Sequence, residues 1–143
     1  MIKIFLLLFI FQSSFSQDLQ SKDYFKNLTS KERKIIVDKG TERPYTGKYN
    51  NHYKKGTYVC KACSNPLFKS NTKFDSKCGW PSFDKEIEGS VIKIPDYSFG
   101  MKRIEVICSN CDGHLGHIFN DGPNPTGLRY CINSASLEFV EKK

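Results

Sequence analysis

The spacing of apolar and polar residues changes three times along this chain. Residues 4–11 form an almost unbroken aliphatic and aromatic run behind Lys3, and Ser14-Phe15-Ser16 follows with small residues where a signal peptidase cuts. The run is too short to anchor a chain in a bilayer. The pattern predicts a signal peptide over residues 1–16, a single domain over 17–143 and a secreted or periplasmic mature protein with no stable membrane anchor. Residues 19–39 then read as helix. Thr29 and Glu32 have capping-box spacing, Gly40 can end the last turn, and Leu28, Ile35 and Ile36 face the domain. Asn27-Leu28-Thr29 is also a glycosylation triplet, but its threonine is better used as the helix cap. After Gly40 the pattern shortens to strands separated by Gly, Pro, Asn and Asp. The strands predicted are Thr57–Cys60, Val91–Ile94, Arg103–Cys108, Leu128–Asn133 and Ser136–Val140, with a long turn over 120–127. The class is a mainly β, antiparallel domain decorated by helix at its N-terminus.

The segment 128–133 carries the sharpest alternation. Leu128, Tyr130 and Ile132 share one face, and Arg129, Cys131 and Asn133 share the other. The apolar face belongs to a core. The second face gathers a cation, a thiol and an amide, a poor set for packing, and a neighbouring guanidinium favours the nucleophilic thiolate.

Cys131 is one of six cysteines, which divide into four and two. Cys60 with Cys63 and Cys108 with Cys111 are Cys-x-x-Cys pairs, each preceded by a predicted strand. A loop that short gains little as a structural disulfide but suits two thiolates on one tetrahedral ion. Four thiolates close the coordination sphere, so the ion expected is one structural Zn²⁺ per chain. Iron also accepts four thiolates, but zinc is not oxidised and suits an exported protein. A thioredoxin-like motif would be a single pair at a helix start, and a zinc deaminase would add His-x-Glu; neither is present. Cys78, in Cys78-Gly79-Trp80-Pro81, and Cys131 remain for thiol chemistry. His114 and His117 lie just after the second pair. On a flat strand they would point to opposite faces, so the flanking glycines must bend the backbone if both are to act near Cys131. The formal net charge of +7 is spread along the chain, without a dense basic block interleaved with aromatics, which argues against a nucleic-acid groove.

Cys78-Gly79-Trp80-Pro81-Ser82-Phe83, Gly113-His114-Leu115-Gly116-His117-Ile118-Phe119 and Gly127-Leu128-Arg129-Tyr130-Cys131-Ile132-Asn133-Ser134 together resemble the B-type methionine sulfoxide reductases, the peptide-methionine (R)-S-oxide reductases. Gly40-Thr41-Glu42-Arg43-Pro44-Tyr45-Thr46-Gly47 resembles their N-terminal stretch. The resemblance runs from about Leu28 to Val140. It implies two antiparallel β-sheets, barrel-like, with a few peripheral helices. It also implies reduction of the R epimer of methionine sulfoxide in oxidised proteins or peptides by a monomer. By the same resemblance Cys131 is the nucleophile, His114, His117, Asp121, Arg129 and Asn133 are polar active-site groups, and Trp80 with Phe119 receives the substrate methyl. Cys78 matches the resolving cysteine of the members that use thioredoxin or a thioredoxin-like reductant. Two other classes are compatible with parts of the sequence: a secreted zinc-ribbon binding module, which leaves Cys78 and Cys131 unexplained, and a general disulfide oxidoreductase, which leaves the apolar wall unexplained.

Overall fold

A computed structural model describes residues 23–143. The signal peptide expected over 1–16 and the start of the predicted helix lie outside them. Among the described residues no helix is long and apolar enough to cross a membrane. The one α-helix among the described residues, α1, spans Ser30–Ile36, shorter than the 19–39 expected. The capping box explains the late start. Thr29 accepts from the Glu32 amide, and the Glu32 carboxylate accepts from the Thr29 amide. Thr29 itself is extended, so the chain before it cannot continue the helix. At the other end Lys39 takes the left-handed φ of 57°, and the Gly40 amide donates to the Lys34 carbonyl. A Cβ on Gly40 would lie 2.7 Å from that oxygen, so glycine is needed for the approach rather than for its φ. Ile35 and Ile36 are buried as expected.

The rest is β-structure in two antiparallel sheets. β1 (Gly56–Cys60) is the centre of a three-stranded sheet between β2 (Pro66–Lys69) and β9 (Leu137–Glu141). The six-stranded sheet runs β3 (Lys73–Phe74), β4 (Ser82–Phe83), β8 (Arg129–Ile132), β7 (His114–Phe119), β6 (Arg103–Cys108), β5 (Val91–Asp96). All five predicted strands are present within a residue or two. The four unpredicted ones are β2, β3, β4 and β7. β3 and β4 are two residues long, too short to show a period. β7 carries a glycine and two histidines in six residues, a composition that reads as a loop.

The core lies between the sheets. Phe83 of β4 stacks on Phe68 of β2 at 4.4 Å between centroids and meets Tyr58 of β1 edge-on at 5.1 Å. Tyr130 of β8 joins Phe68 at 5.5 Å. Buried phenols need partners: Tyr130 donates to Glu86 at 2.6 Å and Tyr58 to the His52 carbonyl at 2.9 Å. Tyr130 and Ile132 therefore face the core, and alternation puts Arg129 and Cys131 on the opposite face of the six-stranded sheet.

Candidate active site and metal centre

The two cysteine pairs form matching knuckles. Cys60 ends β1 and Cys108 ends β6. In each, the residue four positions on returns its amide to the cysteine carbonyl, Ser64 to Cys60 at 2.8 Å and Asp112 to Cys108 at 2.9 Å. Ser64 and Asp112 both take left-handed φ, 64° and 61°. The knuckles face each other, with Sγ–Sγ distances of 3.6 Å for Cys60–Cys111 and for Cys63–Cys108, and all four sulfurs lie within 4.8 Å of one another. A tetrahedron of sulfurs about 2.3 Å from a zinc ion has edges of roughly 3.8 Å, so this donor set fits Zn²⁺. The Asn65 amide points at the Cys108 sulfur at 3.6 Å, an outer contact that steadies a thiolate ligand. Since β1 and β6 belong to different sheets, an ion here staples the two layers together.

The second site grows from Cys131. On its face of the six-stranded sheet it is flanked by Ser82 of β4 and His117 of β7, its registered partners. The neighbouring strand comes close: a Cβ on Gly116 would lie 2.0 Å from the Cys131 carbonyl oxygen, so only glycine permits this pairing. The Cys78 sulfur stands 3.8 Å from that of Cys131. The turn that brings it there passes through Gly79, whose φ is 96°. A cavity of about 110 Å³ opens beside Cys131, walled by Trp80, His117, Phe119 and Asn133, all expected, and by Thr41, Arg103 and Gly116, which were not. Trp80 is held by an indole N–H donated to the Glu42 carbonyl at 3.0 Å.

Both histidines lie on one side, by a route other than the bend expected from the glycines. Glu105 pairs with His117 and Ile107 with His114, although three residues separate the histidines and two separate their partners. The extra residue, Leu115, is a β-bulge, which restores a common face. The rings are 5.6 Å apart and edge to face. Only His117 reaches the cavity. Its Nε2 is 2.7 Å from Asp96 Oδ2, and Asp96 is also paired with Arg103 at 3.3 Å. The hydrogen bond with His117 holds the Asp96 carboxyl far below the usual carboxylate range. His114 lies behind, 2% exposed, with Nδ1 2.8 Å from Glu105, which in turn accepts from Lys39 at 3.1 Å. Burial pushes the His114 ring below the ordinary imidazole value.

Arg129 and Asp121 stand beside the cavity rather than in its wall. They form a two-toothed pair, Nε to Oδ1 at 2.8 Å and Nη2 to Oδ2 at 3.0 Å, and the guanidinium lies 4.5 Å over the Phe119 ring. Asn133 serves the scaffold as well as the wall: it donates to the Leu115 carbonyl and accepts the Glu42 amide, each at 3.0 Å.

Cys78 and Cys131 each shift the other's titration. Cys78 is held down to about 4, first by the hydrogen bond from Cys131 and then, against burial, by the hydroxyls of Ser76 at 2.9 Å and Ser82 at 3.5 Å. Cys131 is pushed up by its hydrogen bond to Cys78 and by burial, with Arg129 pulling the other way. These opposite shifts favour a thiolate on Cys78, whereas the sequence, through Arg129, pointed to Cys131. The hydroxyls of Ser76 and Ser82 add to the first cause at Cys78.

Sequence reading missed Glu42, Asp96, Glu105 and Arg103. Nothing local marks them, because each acts on residues from another strand or loop.

The chain matches the SelR domain family over residues 28–141. It is 52% identical over 128 residues to the peptide methionine sulfoxide reductase MsrB of Teredinibacter turnerae, covering 88% of this chain and 95% of that protein. It is 65% identical over 102 residues to that of Pseudomonas putida, covering 71% and 77%. Among solved structures, the Mis18 'Yippee-like' domain superposes with a TM-score of 0.48 at 18% identity, over 63% of this chain and 99% of that one.

Proposed function

Since the chain belongs to the peptide methionine sulfoxide reductase MsrB family, we propose that it reduces the R epimer of protein-bound methionine sulfoxide with Cys131 as nucleophile and Cys78 as resolving thiol. The observation that carries this reading is the 3.8 Å separation of the two sulfurs at the edge of a small, aromatic-walled cavity. Trp80 and Phe119 give the substrate methyl an apolar wall, where leaving water is worth about 0.8 kcal/mol. That is too little to choose an epimer. The choice falls to the polar wall opposite, where His117 and Asn133 fix the direction of the S–O bond.

In the first step the Cys131 sulfur attacks the sulfoxide sulfur and the oxygen is protonated. His117 is the donor in the cavity wall, oriented by Asp96 through Nε2, so its Nδ1 is the nitrogen free to serve the substrate. His114 supports it from behind. Arg129, itself fixed by Asp121, draws the shared charge of the thiol pair towards Cys131 as the reaction begins. The oxygen passes to Cys131 as sulfenic acid and methionine leaves. Cys78 then attacks the Cys131 sulfur, water departs, and a Cys78–Cys131 disulfide forms. The sulfurs need approach by only about 2 Å to reach bonding distance. Ser76 and Ser82 keep Cys78 ionised for that step. Thioredoxin or a thioredoxin-like dithiol reduces the disulfide and completes the cycle of protein repair.

Zn²⁺ held by Cys60, Cys63, Cys108 and Cys111 would be closed off by four thiolates and would supply rigidity rather than chemistry. The apolar run of residues 4–11 supports export, with cleavage near Ser16 and work outside the cytoplasm.

The test offers both epimers of a methionine-sulfoxide peptide with a dithiol. Wild-type protein should consume the R epimer alone, and Cys131→Ser neither. Equal consumption of both, or appreciable turnover by the variant, would remove Cys131 from the role given to it.

A further inference from the structure

The hairpin joining β5 to β6 has two ends of opposite chemistry. At its base, Asp96 holds His117 and Arg103 lines the cavity. At its tip, Tyr97, Phe99 and Met101 are 66%, 90% and 44% exposed, an apolar lip on the element that forms the cavity wall. Phe99 takes a left-handed φ of 55°, an uncommon conformation for a bulky residue and one that fixes the course of the turn. Met101 follows in extended backbone, φ −98° and ψ 151°, its amide tied to the Ser98 carbonyl at 3.1 Å. Besides the initiator it is the sole methionine of the chain. Among the described residues the protein therefore carries one thioether, and carries it on an exposed tip with aromatic neighbours.

We infer that Met101 is an oxidation site of this protein and that its R-sulfoxide is a substrate for a second copy of the same enzyme. The inference rests on the reductase reading above and adds a specific substrate to it. A hydroperoxide transfers one oxygen to the Met101 sulfur and leaves as the alcohol; the sulfur loses two electrons. The thioether becomes polar and chiral, which changes the character of the lip. The sulfoxide is then placed in another molecule's cavity. Cys131 there takes the oxygen as sulfenic acid, methionine is restored, Cys78 displaces water to form the disulfide, and a dithiol supplies the two electrons.

Geometry selects a second copy over the molecule's own site. Met101 precedes Arg103 by two residues, about 7 Å of extended chain running towards the base. Met101 lies beyond the Asp96–Arg103 pair that closes the hairpin, 44% exposed and outside the lining of its own cavity. A convex tip with a methionine in extended backbone instead presents itself as an oxidised peptide substrate would.

The experiment uses full-length mature protein. Cys131→Ser, unable to repair itself, is treated with hydrogen peroxide, returned to dithiol, and mixed with a small amount of untreated wild-type enzyme and dithiothreitol. The tryptic peptide spanning residues 94–102, whose only methionine is Met101, is then weighed. The peptide should gain one oxygen on peroxide treatment. Wild-type enzyme should remove about half of that gain, the fraction in the R configuration, and dithiothreitol alone none. Met101→Leu should show no gain. Failure of the peptide to gain oxygen under conditions that oxidise a free methionine peptide would overturn the inference. So would an undiminished gain while the same wild-type sample reduces a free methionine-R-sulfoxide peptide, an outcome that leaves the reductase reading intact. If neither protein nor peptide is reduced, both fall.

Discussion

Glu42 was given no role by the sequence, yet it joins two walls of the cavity, and its removal can be worked through quantitatively. Glu42 is 8% exposed, and its carboxylate accepts two backbone amides through separate oxygens, Ser134 on Oε1 and Ala135 on Oε2 at 3.2 Å. Its main chain holds two walls of the cavity, the amide on Asn133 and the carbonyl on the Trp80 indole, each at 3.0 Å. In Glu42→Gln one carboxylate oxygen becomes an NH₂ group, and whichever way the amide turns, a donor faces a backbone N–H. One buried hydrogen bond to a charge is lost and one amide is left without an acceptor, which costs about 2 kcal/mol. For a domain of this size that lowers Tm by roughly 8 °C. Glu42→Ala strands both amides and should lower it by about twice as much. The measurement is thermal unfolding of reduced, zinc-loaded protein by circular dichroism, paired with steady-state kinetics on a sulfoxide peptide. Because Trp80 and Asn133 are positioned through Glu42, KM should rise in the Gln variant even at temperatures where it is fully folded. A Tm for Glu42→Gln within a degree of wild type would refute the reasoning, since it would mean that the two amides do not depend on the second carboxylate oxygen.

Three further outcomes are expected. Cys78→Ser should yield about one methionine per enzyme with thioredoxin as reductant and accumulate sulfenic acid on Cys131, seen by mass spectrometry; normal cycling would exclude Cys78 as the resolving thiol. In the reduced wild-type protein, iodoacetamide at pH 6 should label Cys78 before Cys131. Cys78, held down to about 4, is ionised there, while Cys131, pushed up, keeps its proton. In Cys78→Ser the principal cause of the rise at Cys131 is gone, so its labelling should accelerate; faster labelling of Cys131 in the wild type would contradict the charge placement. Cys108→Ala should lose about one zinc per chain by atomic absorption and unfold at a markedly lower temperature, because the ion joins β1 to β6 across the two sheets. Retention of metal at wild-type stoichiometry would rule out the four-sulfur centre.

The features readable without a structure were those written in short, regular spacing. The two Cys-x-x-Cys pairs declare their knuckles because the ligands of each are local and the strands before them are periodic. The alternation at 128–133 sorted Tyr130 and Ile132 from Arg129 and Cys131, since strand geometry alone sends successive side chains to opposite faces. Thr29 and Glu32 marked a helix start, although the start was read too early because a cap says where a helix begins and not that the chain before it is free of structure.

What tertiary structure alone decided depends on partners far apart in the chain. The bulge at Leu115 that turns both histidines to one side exists only against β6, and the distance of 3.8 Å between Cys78 and Cys131 exists only because β4 lies beside β8. Asp96 reaches His117 across β6, and Glu42 reaches Ser134 from a loop 92 residues away. The hydroxyls of Ser76 and Ser82, which help to hold the Cys78 thiol down, likewise have neighbours that no periodicity reveals. Hydrogen bonds and charge sharing act through space over a few ångströms, whereas residue patterns record only what lies within a turn or a strand of the same chain segment.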